Sequence, residues 1–192
     1  MPQQAIHLVA AGLAGEPETS VPVEVLDELA AVLARVFEVN CRVWPETVEI
    51  AFAHDAVRNQ YMATSILAHL TAWGGSQPPP DRAAGIRLLA VTALDLFVPV
   101  LTFVFGEAQL DGCCGVVSVH RLREEHYGLP PNPAVLAARL AKEAVHELGH
   151  TFGLRHCDDW SCVMASTHSV ERLDLKGLDF CSRCAAVVRS AP

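Results

Sequence analysis

At 192 residues and 20.7 kDa, with 51% of its residues apolar, the chain has the size of one domain and enough apolar material for a sizeable core. Asp and Glu number 22 against 14 Lys and Arg, a formal net charge of -8, which leaves no basic field for phosphate backbones or anionic lipid and excludes nucleic acid as an expected partner. Met1 to Gln4 lacks the basic start of a signal peptide, and the apolar stretch from Ile86 to Phe105 is broken by Arg87, Asp95 and Pro99, so no secretion signal and no bilayer span is expected. These features predict a soluble, cytoplasmic protein made of a single domain over 1–192, with a monomer as the default state.

Ile6 to Ala10 has the character of a short buried strand, and Pro22 to Phe37 places Val25, Leu26, Leu29, Leu33 and Val36 at helical spacing. Val43 to Phe52 looks extended, with Pro45 weakening part of it. Ala56 to Trp73 carries Val57, Tyr61, Ile66 and Leu70 at helical intervals and predicts a second helix. Gly74 to Asp81, rich in Gly and Pro, reads as a surface loop inside the one domain. Beyond it, Ile86 to Leu94, Phe103 to Phe105 and Cys114 to Val119 read as strands, with Gly106 and Gly112 marking turns. Asn132 is a helix N-cap with Pro133 in the first helical position, and strong helix formers continue from Ala134 to Thr151. Strands alternating with helices predict an α/β fold.

That last helix carries the chemistry. His146-Glu147-Leu148-Gly149-His150 is an H-E-x-x-H motif, and histidines at i and i+4 stand about 6 Å apart on one helix face, the right spread to chelate one ion. Gly153 and His156 extend it to H-E-x-x-H-x-x-G-x-x-H, which is far more specific than the short form. Gly153 can take the positive φ that ends the helix and returns His156 to the same ion. Three imidazole ligands leave a fourth zinc position open for water whose pKa is lowered toward about 7, the property that separates catalytic from structural zinc. Glu147, one residue past the first ligand, is placed to accept that water's proton as general base. His7, His54, His69 and His168 read as ordinary surface or core histidines.

Seven cysteines cannot all pair. Cys157 and Cys162 face the C-x-x-C of Cys181 and Cys184 across one loop, the spacing of a closed four-cysteine zinc site; a disulfide pair or a redox C-x-x-C are the alternatives, and Asp179-Phe180-Cys181 lacks the strand-to-helix context of the latter. Two zinc ions per chain are thus expected, one catalytic and one structural. Cys113 and Cys114 read as buried thiols, because neighbours on a strand point to opposite faces.

The combination of the long histidine motif, His156-Cys157, Cys162-Val163-Met164 and Cys181-x-x-Cys184 resembles the archaemetzincins, a family of zinc metallopeptidases. The likeness extends to Thr92 to Leu96, Phe103 to Ala108 and Val116 to Ser118, covering roughly residues 86 to 184. It implies a compact metzincin-like domain with a mixed twisted sheet packed with helices, a zinc-binding active-site helix, a C-terminal four-cysteine zinc subdomain within about 133–184, and Met164 as a hydrophobic floor beneath the histidines. It also implies hydrolysis of a peptide or protein substrate, by aminopeptidase or endopeptidase action. The competing readings are a zinc-stabilised binding protein with little turnover and a zinc amidase on a non-peptide substrate; Glu147 favours an enzyme, since a merely structural metal has no use for a carboxylate beside an open position.

Overall fold

The computed structural model describes residues 4–73 and 85–191. Its main sheet has the strand order β2-β1-β5-β8-β7, from β1 (Ala5–Gly12), β2 (Asn40–Glu49), β5 (Ile86–Thr92), β7 (Gly106–Ala108) and β8 (Cys114–Ser118). The first four strands in that order run parallel and β7 alone is antiparallel, giving a mixed sheet. Parallel strands need crossovers, and α1 (Val23–Phe37) and α2 (Ala63–Ala72) lie in those connections. A second, three-stranded sheet of β3 (His54–Asp55), β4 (Gln60–Met62) and β6 (Leu96–Phe97) sits in the order β3-β4-β6.

Strand alternation sorts the core into two layers. Leu8, Ala10, Leu89, Val91 and Val117 face one cluster with α1 and α3 (Pro133–Thr151), whereas Val9, Ala11, Leu88, Ala90 and Val116 face the other with Ile66 and Leu70 of α2. Both faces being covered explains why the central strands are continuous apolar runs rather than alternating ones. On α1, Leu26, Leu29, Leu33 and Phe37 form the buried stripe, each contributing about 1.5–3 kcal/mol by leaving water. Two short helices, α4 (Val170–Leu175) and α5 (Ser182–Ser190), complete the chain. Among the described residues, no helix is long and apolar enough to cross a membrane.

Several sequence-based expectations shift. The helix expected from Ala56 starts only at Ala63: Asp55 Oδ1 accepts hydrogen bonds from the Val57 and Arg58 N–H groups, and Asn59 adopts φ 53°. This side-chain-driven turn outcompetes the helix, leaves Val57 97% exposed, and delivers Tyr61 into β4 instead. Pro45 is accommodated because β2 is an edge strand and its register slips, Leu8 pairing with Val43 but Ala10 with Thr47. Regular pairing begins at Gly106, expected to mark a turn, while the expected strand at 103–105 is reduced to one bridge, Leu96 with Val104. Strand β5 ends at Thr92, two residues early, and the loop expected at 74–81 lies outside the described residues. Asn132 caps α3 as expected, its side chain accepting from the Val135 N–H at 3.2 Å.

Candidate active site

Helix α3 crosses beneath the sheet and presents one face to a cleft of about 670 Å³. His146 and His150 lie one turn apart on that face, ring centroids 4.7 Å apart and Nε2 atoms 3.2 Å apart. After Thr151 the helix stops: Gly153 takes φ 86°, and the Gly153 and Leu154 N–H groups donate to the carbonyls of His150 and Gly149. The chain turns back, and the His156 ring comes to 5.2 Å from each of the other two. One nitrogen from each of the three lies within 4.8 Å of the others.

The surroundings fix which nitrogens face inward. Assigned from its partners, His146 Nδ1 donates to the Val163 carbonyl at 2.9 Å and His150 Nδ1 to the Leu154 carbonyl at 2.7 Å, leaving both Nε2 lone pairs free. Burial, before any charge effect, lowers the pKa of all three histidines, with Lys176 adding to the effect. Neutral imidazoles with converging lone pairs are the donor set that zinc accepts. Glu147 is buried beside them, and that burial, followed by the Glu143 carboxylate, pushes its carboxyl well above the usual carboxylate range. Directly over it lies β7: a Cβ on Gly106 would stand 2.7 Å from Glu147 Cγ.

Met164 is fully buried, and a Cβ on Gly149 would meet its Sδ at 2.5 Å, so the thioether underlies the helix between the two histidines. The Met164 carbonyl accepts from the Cys157 N–H, which joins the histidine set to the cysteine set. The sulfurs of Cys157, Cys162, Cys181 and Cys184 all lie within 4.8 Å of one another, none in a disulfide. Cys181 is the residue capping α5, Cys184 lies in that helix's first turn, and the Cys181 N–H donates to Cys162 Sγ at 3.3 Å. Four thiols at this spacing, with a backbone donor to one sulfur, fit a tetrahedral soft-metal site.

The cleft also collects residues the sequence did not mark. Leu101, Phe103, Phe105 and Leu110 give the lining its apolar surface, while Glu143, Ser166, Thr167 and His168 add polar groups to it. His168, expected to be ordinary, is therefore a cleft residue; no local spacing links it to the motif. Glu143 had a faint signal, an acid one turn before Glu147 on the same helix face. The apolar rim is held by Asp95, which accepts two hydrogen bonds from Arg121 at 2.7 and 2.6 Å and one from Gln60 at 2.9 Å. Gln60 in turn donates to the Thr102 carbonyl, and the Arg121 guanidinium stacks 4.3 Å from the Phe103 ring. Cys113 and Cys114 are both buried as expected, but not on opposite faces: Cys113 precedes β8, the pleat does not separate the pair, and their sulfurs are 3.7 Å apart in one apolar cluster.

Comparison with known proteins agrees with this geometry. The model of peptidase family M54 matches residues 24–190. An archaemetzincin of Methanocaldococcus jannaschii is 38% identical over 169 residues, 88% of each chain. A crystal structure of a zinc-dependent peptidase from Methanocorpusculum labreanum superposes with a TM-score of 0.82 at 31% identity, covering 95% of this chain and 99% of that one. The archaemetzincin of Archaeoglobus fulgidus, solved with malonate, gives 0.76 at 32% identity over 96% and 99%. With a family match over most of its length and relatives this close, the chain belongs to peptidase family M54, the archaemetzincins, and is a zinc metallopeptidase.

Proposed function

We propose that the chain hydrolyses peptide bonds with a catalytic zinc held by His146, His150 and His156 and with Glu147 as general base, and that a second, structural zinc sits on Cys157, Cys162, Cys181 and Cys184. The observation that carries this reading is the convergence of three histidine nitrogens beside the buried Glu147 side chain in an open cleft. When bound, the catalytic zinc supplies a Lewis acid that polarises the scissile carbonyl and acidifies a water molecule. Glu147 takes the proton of the attacking water on its carboxylate and returns it to the leaving nitrogen. The Val163 and Leu154 carbonyls hold the His146 and His150 rings in their orientation. The outer edge of β7, with Gly106, Glu107 and Ala108 in the cleft lining, offers backbone groups along which an extended peptide lies.

We read residues 1–192 as one such domain, a reading supported by the direct pairing of β1 and β5, from either side of 74–84, in the same sheet. A cytoplasmic location is supported by seven cysteines outside any disulfide, which suit a reducing compartment. The decisive experiment is Glu147→Gln, which keeps size and hydrogen-bonding reach but removes the proton acceptor. Zinc content should stay at the wild-type value while peptide hydrolysis falls by about a hundredfold or more. Wild-type turnover in Glu147→Gln with zinc retained would refute the assignment, and His150→Ala should lose the histidine-bound zinc itself.

A further inference from the structure

Lys176 follows α4, far in sequence from the zinc helix, yet its side chain is only 1% exposed. Its Nζ donates to Glu143 Oε1 at 3.2 Å and to the Ala165 carbonyl at 3.4 Å, and lies 3.5 Å from His146 Nδ1. Glu143 is itself buried, its side chain 5% exposed, and its Oε1 also accepts from Thr167 Oγ1 at 3.5 Å. A buried lysine and glutamate together give up most of their hydration, and a well-packed apolar pair of the same volume holds a fold as well or better. Stability is therefore a poor reason for this pair to stand beside the active site.

Its contacts suggest another reason. Ser166, Thr167 and His168 line the cleft, and the Lys176–Glu143 pair fastens this segment and the residue before it to α3 at two points: Lys176 to the Ala165 carbonyl and Glu143 to Thr167. The His146 ring does not need the pair for its orientation, since its Nδ1 already donates to Val163. We propose that Lys176 and Glu143 are positioning residues for substrate binding: they hold the 165–168 wall at a fixed distance from the zinc helix, and so set the subsite that takes the peptide residue next to the scissile bond. The proposal rests on the metallopeptidase reading above.

The test separates metal binding from wall geometry by using two ligands of zinc-loaded protein, read by calorimetry so that turnover is not required. Acetohydroxamate reaches only the metal, whereas a peptidyl hydroxamate must also fill the cleft. The double variant Lys176→Met with Glu143→Met replaces the ion pair by apolar side chains and should keep its melting temperature. It should bind acetohydroxamate as the wild type does but the peptidyl hydroxamate about tenfold or more weakly, because a misplaced wall costs binding without touching the metal. Wild-type affinity for both ligands would reduce the pair to a structural role and overturn the proposal. Equal loss for both would also overturn it, assigning the pair to the metal ligands. Should the double variant not fold, Glu143→Gln, which keeps the shape but weakens the Lys176 contact, is expected to give the same split, and no split would refute it. If the zinc-loaded wild type binds neither ligand, the metallopeptidase reading itself fails, and this proposal with it.

Discussion

Replacing Gly106 by alanine tests the site through one methyl group. The new Cβ would stand 2.7 Å from Glu147 Cγ, 2.7 Å from the Val116 carbonyl oxygen and 3.0 Å from Glu147 Cδ. Ordinary contact begins roughly 0.7 Å further out. Val116 belongs to β8, buried between β5 and β7, and cannot give way; Glu147 is enclosed on α3. What yields is β7, an edge strand of three residues, together with the Glu147 side chain. Overpacking of this kind costs about 2 kcal/mol, lowering the melting temperature of a chain this size by roughly 4–8 °C. A carboxylate displaced by a fraction of an ångström to one ångström should lose about a hundredfold in kcat/KM, with zinc content unchanged. Thermal unfolding, metal analysis and peptide hydrolysis on the same preparation read all three quantities. Combining Gly106→Ala with Glu147→Gln should add little further loss of activity, because both act on the same group. Wild-type melting and wild-type turnover in Gly106→Ala would refute the account of how β7 and Glu147 pack.

Metal analysis of the purified protein should return two zinc ions per chain, and one would remove the four-cysteine site from the proposal. Cys181→Ser should lower the melting temperature more than His146→Ala does, since a closed thiolate site contributes to folding directly while α3 can persist without its ion; equal melting of Cys181→Ser and wild type would show that the cluster is not structural. Burial alone would raise the Asp95 pKa, but its hydrogen bonds to Arg121 and Gln60 and the Arg121 charge hold it below the usual carboxylate value. A depressed folded-state pKa makes this contribution complete above about pH 4 and lost as the pH falls through the folded-state value, so denaturant titrations of Asp95→Asn should show a weaker acid dependence than the wild type over that window. A parallel pH profile for the two proteins would argue that the Asp95–Arg121 pair does not contribute.

The histidine set was legible in the sequence because its geometry is local: helical pitch spaces His146 and His150, and a glycine with positive φ returns His156 within three residues. The same holds for the N-cap at Asn132 and for the cysteine pairs, each close in sequence. What stayed hidden depends on distant segments. Nothing near Lys176 says that it will lie against a glutamate 33 residues earlier, and nothing near Gly106 says that its missing side chain makes room for Glu147. The helix expected from Ala56 lost its first seven residues for a different reason, since apolar spacing through Val57 and Tyr61 weighed less than the turn chemistry of Asp55 and Asn59.

The position of β7 at the border of the sheet carries a hazard as well as an opportunity. Backbone groups left open to receive an extended peptide are equally open to the strand of any partly unfolded neighbour, and such pairing is how edge strands seed aggregates. Here the exposed border is only three residues long and carries Glu107 at its centre, enough to seat a short stretch of peptide but too brief and too charged to template a long ladder. Lengthening that strand with apolar residues, a natural move for an engineer seeking tighter substrate binding, would therefore raise the tendency to self-associate along with the affinity.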